Sequence, residues 1–126
     1  LLYEQNPGLT FDIRLGTIPY ARGVKEAAGS MAFPPEAALM GGAGEYELLF
    51  TLPERVPEKL TTELEKISAT RIGAVFPDTE GAVRFCADRD SMVEMTQPPP
   101  CPRSADNRES YVREVIAVTQ RLFAGA

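Results

Sequence analysis

Residues 41–51 read Gly41-Gly42-Ala43-Gly44-Glu45-Tyr46-Glu47-Leu48-Leu49-Phe50-Thr51. Three glycines in four positions free the backbone to approach a ligand closely or to take positive φ. The loop follows a predicted helix and precedes a predicted strand. A Walker loop or a dinucleotide fingerprint runs the other way, from strand through loop to helix. No helix N-terminus therefore faces a phosphate here, and anion binding would fall to the loop's own NH groups. Beyond it, 46–52 is predicted as a strand. Glu45 and Glu47 share one face of it, Tyr46 and Leu48 the other. Leu48-Leu49-Phe50 is apolar on both faces, which places the strand centrally with Leu48 and Phe50 in the core. Carboxylates where such a strand enters a core are costly unless paired or in use. Two readings follow: a cleft lip facing a ligand or magnesium, or a helix stop followed by a solvated strand end. From the residues alone the helix stop is the simpler reading, although one glycine would serve for it.

Working outward, Leu9, Phe11, Ile13 and Leu15 alternate with Thr10, Asp12 and Arg14, the period of a half-buried strand. Pro19 is placed to open a helix that runs to about Ala28, with Val24, Ala27 and Ala28 inward and Gly29 as C-cap. A short helix over 36–40 leads into the glycines. Leu60, Leu64 and Ile67 recur at helical spacing among Glu58, Lys59, Glu63 and Lys66. Residues 71–76 and 82–86 read as strands, with 77–81 between them as a hairpin connection. A further short strand is predicted over 92–96. Asp88-Arg89-Asp90 reads as an exposed loop.

Gln97-Pro98-Pro99-Pro100-Cys101-Pro102 forms a stiff spacer that no regular helix or central strand accommodates. Asp106 and Glu109 resemble a capping box for a terminal helix whose stripe is Val112, Val115, Ile116, Leu122 and Phe123. This order predicts an α+β fold, a mixed β-sheet with packed helices that is partly ferredoxin-like. Residues 1–96 form the domain, and 97–126 add the spacer and a helix packed on it.

The 126 residues suit one domain able to bury a core without staples. A net charge of −5 with scattered basic residues argues against nucleic acid. No apolar run reaches membrane-span length, and the first residues lack the basic region of a signal peptide. Cys86 and Cys101 match no zinc spacing and read as free thiols of a reducing cytoplasm. The chain has no histidine, so acid or base chemistry within it falls to Asp, Glu, Lys, Tyr or Cys. Arg14, Arg22 and Lys25 are candidates for a substrate phosphate, or are simply solvated.

The run from Gly41-Gly42 through Glu45 to Thr51 resembles the Gly-Gly-Glu-Asp-Tyr-Glu-Leu-Leu-Phe-Thr signature of thiamine-monophosphate kinases. Tyr46 to Thr51 match directly, while Ala43-Gly44-Glu45 replaces the Glu-Asp pair with one residue more. Arg71-Ile72-Gly73-Ala74-Val75 resembles the family's Ile-Gly strand, and Ile18-Pro19 stands where the family has a similar Ile-Pro pair. The resemblance spans roughly Gly8 to Val93. It is to the superfamily of thiamine-monophosphate kinase, aminoimidazole-ribonucleotide (AIR) synthase, selenophosphate synthetase and a hydrogenase maturation factor.

The resemblance implies the C-terminal domain of an ATP- and magnesium-dependent, dimeric cytoplasmic enzyme. Such an enzyme phosphorylates or activates an oxygen of a small-molecule substrate. The resemblance also implies an N-terminal domain carrying most of the ATP and metal motifs, so that these residues alone are inactive. Gly41, Gly42, Ala43, Gly44, Glu45, Tyr46 and Glu47 would line the substrate or nucleotide cleft. The alternative is a non-catalytic binding or assembly module that retains the fold.

Overall fold

The computed structural model describes residues 6–40, 48–87, 91–95, 100–101 and 105–123. Strand β1 is Leu9–Arg14, followed by a single 3-10 turn, Leu15–Thr17. Helices α1 (Val24–Ser30), α2 (Ala37–Met40) and α3 (Glu58–Lys66) come next. Strands β2 (Gly73–Pro77), β3 (Ala82–Cys86) and β4 (Met92–Glu94) then precede helix α4 (Arg108–Phe123). The class is α+β with a mixed four-stranded sheet, in the order β2-β1-β3-β4. No helix among the described residues is long and apolar enough to cross a membrane.

The centre of the sheet is β1. It pairs antiparallel with β2, Ile13 facing Gly73, and parallel with β3, Ile13 facing Phe85. The expected hairpin between β2 and β3 is therefore corrected: β1 lies between them. Both edges of β1 gain ladder hydrogen bonds this way, which a β2–β3 hairpin would have left to one edge. The connection crosses the start of β1, where the Asp78 NH donates to the Gly8 carbonyl at 2.9 Å. Gly81, at φ 64°, completes the turn into β3 in a conformation that favours glycine.

Alternation puts Ile13, Val83 and Phe85 on one face of this sheet. That face meets α4 and α2, where Ala37, Met40, Phe85, Val115 and Val118 form the core. The Phe85 ring meets Phe123 edge to face, with centroids 5.4 Å apart. Helix α4 begins one residue later than its sequence suggests. The Ser110 NH donates to Asn107 Oδ1 at 2.9 Å and the Asn107 NH donates to Ser110 Oγ at 3.1 Å. The reciprocal cap is thus Asn107 and Ser110, not Asp106 and Glu109. Deeper in the helix Thr119 is fully buried, and its hydroxyl donates to the Val115 carbonyl at 2.7 Å.

Three further expectations change. Helix α1 starts at Val24 after Gly23 instead of at Pro19, and Met31 replaces Gly29 as its C-cap. Helix α3 forms at its expected place but buries no residue, and Ile67 just beyond it is 69% exposed. Residues 48–52 form no strand, and Leu48 is 89% exposed and Phe50 47%. Both were expected in the core. Strand character in a run of this kind becomes structure only when a sheet edge takes it up, and among the described residues neither outer strand, β2 nor β4, pairs with 48–52.

Candidate functional site

The expected cleft loop, Gly41, Gly42, Ala43, Gly44, Glu45, Tyr46 and Glu47, lies outside the described residues. Its flanks are described: Met40 is buried at the end of α2, and Leu48 stands exposed. Asp88-Arg89-Asp90 also lies outside the described residues.

The polar face of the sheet holds a network that sequence reasoning missed. Thr10, Asp12 and Arg14 alternate along β1, and the register sets Arg84 beside Asp12 and Cys86 beside Arg14. The fully buried Thr10 hydroxyl donates to Asp78 Oδ2 at 2.9 Å. The Glu80 NH donates to Asp78 Oδ1 at 3.3 Å, and Arg84 Nη2 reaches Oδ2 at 3.5 Å. Arg84 Nε donates to Glu94 Oε2 at 3.3 Å, tying β4 to the same cluster. The period-two polar residues of β1 were legible, but Asp78 sits 68 residues from Thr10 and gave no local signal.

The Thr10 hydroxyl, then the Glu80 NH, with Arg84 adding its charge, hold the Asp78 carboxyl below its ordinary range. A folded-state pKa below the unfolded one stabilises at pH above the unfolded value, about 3.9 for Asp. That stabilisation is lost as pH falls through the folded value. Asp78→Asn is expected to be less stable than the parent at neutral pH, with the gap narrowing in acid. Urea denaturation at neutral pH and near pH 3 checks this, and a gap independent of pH contradicts it.

The three basic candidates separate. Arg22 and Lys25 border a depression of about 320 Å³ with Tyr20, and the Lys25 ammonium lies 5.1 Å from the centre of the Tyr20 ring. Arg14 instead shares a polar cavity of about 130 Å³ with Arg71 and Gly73. The buried Tyr20 hydroxyl has no hydrogen-bond partner among the described residues. Burial, then the charge of Glu36, pushes it up to about 12. Removing an unsatisfied hydroxyl while keeping the ring is expected to stabilise, so Tyr20→Phe should gain roughly 1 kcal/mol. A loss of stability on denaturation would show that the hydroxyl has a partner.

Cys86 is a half-buried free thiol, and Cys101 is exposed. Burial, then Asp12, pushes the Cys86 thiol up against the opposing effect of Arg14 and Arg84. Cys86 is a thiol at neutral pH and a poor nucleophile.

Neither protein-family models nor curated proteins nor solved structures give a match to this chain. The class established by the fold is an α+β domain with a four-stranded mixed sheet.

Proposed function

We propose that this chain is the substrate-cleft domain of an ATP- and magnesium-dependent transferase related to thiamine-monophosphate kinase and AIR synthase. The observation that carries the reading is the run Tyr46 to Thr51, which matches the kinase signature directly after the glycine loop. The α+β class agrees with it. The exposed apolar residues Leu48, Leu49, Phe50 and Leu52 support it as well. A run of exposed apolar residues is what a surface covered by another domain or subunit would present.

In that setting the loop is one wall of a cleft completed by an N-terminal domain of the same protein and by a second copy in a cytoplasmic homodimer. Phosphoryl transfer depends on positioning and on neutralising developing charge, and the magnesium ion supplies the latter when bound. Among the described residues no three Asp, Glu, Cys or His side chains group to hold a metal. In this reading the chain's role is to bind and orient the substrate. A second reading, a non-catalytic binding or assembly module, is favoured by one departure: Ala43-Gly44 stands where the signature has an acidic residue.

Glu47→Gln in the full-length protein tests the proposal. It keeps shape and removes charge, so magnesium-dependent ATP consumption with a panel of phosphorylated alcohols and amines should fall while the melting temperature holds. Unchanged turnover removes the loop from the site. Absence of turnover in the parent, across the panel, favours the assembly module.

A further inference from the structure

We propose that Arg14 and Arg71 form a binding site for a phosphate-type oxyanion at the end of the sheet where β1 stops and β2 begins. Four observations converge on it. The Arg14 NH donates to the Ile72 carbonyl at 2.8 Å, which fixes the end of β1 against the segment carrying Arg71. Arg71 Nε donates to the Gly73 carbonyl at 3.2 Å, so one edge of that guanidinium is anchored and its terminal nitrogens remain for a ligand. Both residues line one polar cavity of about 130 Å³. Among the described residues neither guanidinium has a carboxylate partner, whereas Arg84 on the same sheet has two, Asp78 and Glu94.

Charge makes the arrangement informative. In a chain of net charge −5, acidic partners are plentiful, yet among the described residues these two arginines share a cavity without one. Asp12, one strand repeat before Arg14, forms no ion pair with either among the described residues, and its buried Oδ1 has no hydrogen-bond partner there. Two guanidiniums that share a cavity repel each other, and a tetrahedral oxyanion removes the repulsion by accepting paired N–H bonds from both. The cavity is smaller than the roughly 300–1,000 Å³ of ordinary small-molecule pockets. It suits one phosphate group, free or at the end of a small phosphomonoester, and not a whole nucleotide. The site does not rest on the kinase-like reading, since each of its observations concerns these residues alone.

The test is an NMR titration with inorganic phosphate and with glycerol phosphate, following the arginine Nε–H signals, with chloride at matched ionic strength as the control. Saturable shifts at Arg14 and Arg71 are expected for phosphate and not for chloride. Arg14→Gln and Arg71→Gln should each weaken binding by about tenfold or more. Arg14→Gln leaves the Arg71–Gly73 bond in place, so it reports on the site even if Arg71→Gln disturbs the start of β2. Arg55→Ala, a basic residue away from the cavity, should leave binding unchanged. Tighter binding of glycerol phosphate than of free phosphate supports the site with a phosphorylated metabolite as its ligand, and equal binding supports it with free phosphate. Undiminished binding in Arg14→Gln, or shifts that chloride reproduces, overturns the proposal. Phosphate binding without ATP turnover would count against the enzyme reading alone.

Discussion

Gly73→Ala is expected to destabilise the protein by about 3 kcal/mol or more, the upper end of what overpacking costs. A Cβ built on Gly73 lies 2.0 Å from the Asp12 carbonyl oxygen, 3.0 Å from the carbonyl carbon and 3.3 Å from the Ile13 Cα. All three are backbone atoms of the central strand, so no side chain can swing aside. Relief requires β1 and β2 to part at the pair Ile13 and Gly73, next to the bond between the Arg14 NH and the Ile72 carbonyl. The same displacement would carry Arg71 away from Arg14, so phosphate affinity should fall together with stability. Gly29→Ala is the matched control. It lies within α1, nothing stands within 4 Å of its added Cβ, and alanine there should stabilise by about 0.5–1 kcal/mol. Urea denaturation of the two variants decides the matter. A Gly73→Ala protein as stable as its parent would mean that β1 and β2 do not approach as described.

Phe85→Ala should cost about 3–5 kcal/mol, the range for deleting a buried aromatic ring. Phe85 is 6% exposed and lies in the core with Met40, Val115 and Val118. Its edge contact with Phe123 also joins the sheet to the C-terminal end of α4. Loss of the ring leaves a cavity beside Met40, Val115, Val118 and Phe123 that these neighbours refill only in part. Phe50→Ala provides the contrast. At 47% exposure it should cost about 1 kcal/mol or less. Midpoints that rank Phe50→Ala as the more damaging change would reverse the assignment of the core.

The contrast between the two phenylalanines shows where local reading stops. Phe50 lies in an apolar run on both faces, and Phe85 in a run broken by Arg84, so sequence alone favours Phe50 as the buried one. Burial depends on what the rest of the chain brings to each strand. The seven glycine-loop positions, 41–47, lie outside the described residues. The Arg14–Arg71 cavity was half legible. Arg14 was picked out as a basic candidate, but it was grouped with Arg22 and Lys25, its neighbours along the chain.

By itself the sequence determined the α+β class, the period-two strand β1, and the approximate places of the helices and of β2, β3 and β4. These follow from apolar periodicity and from where proline and glycine fall, which are properties of a few neighbouring residues. Only the tertiary structure decided that β1 separates β2 from β3, that 48–52 stays off the sheet, and that Arg14 and Arg71 border one cavity. Each is a choice of partner among distant segments. A strand's period states which face it buries but not which edge it pairs, and edge pairing is settled by competition across the whole chain.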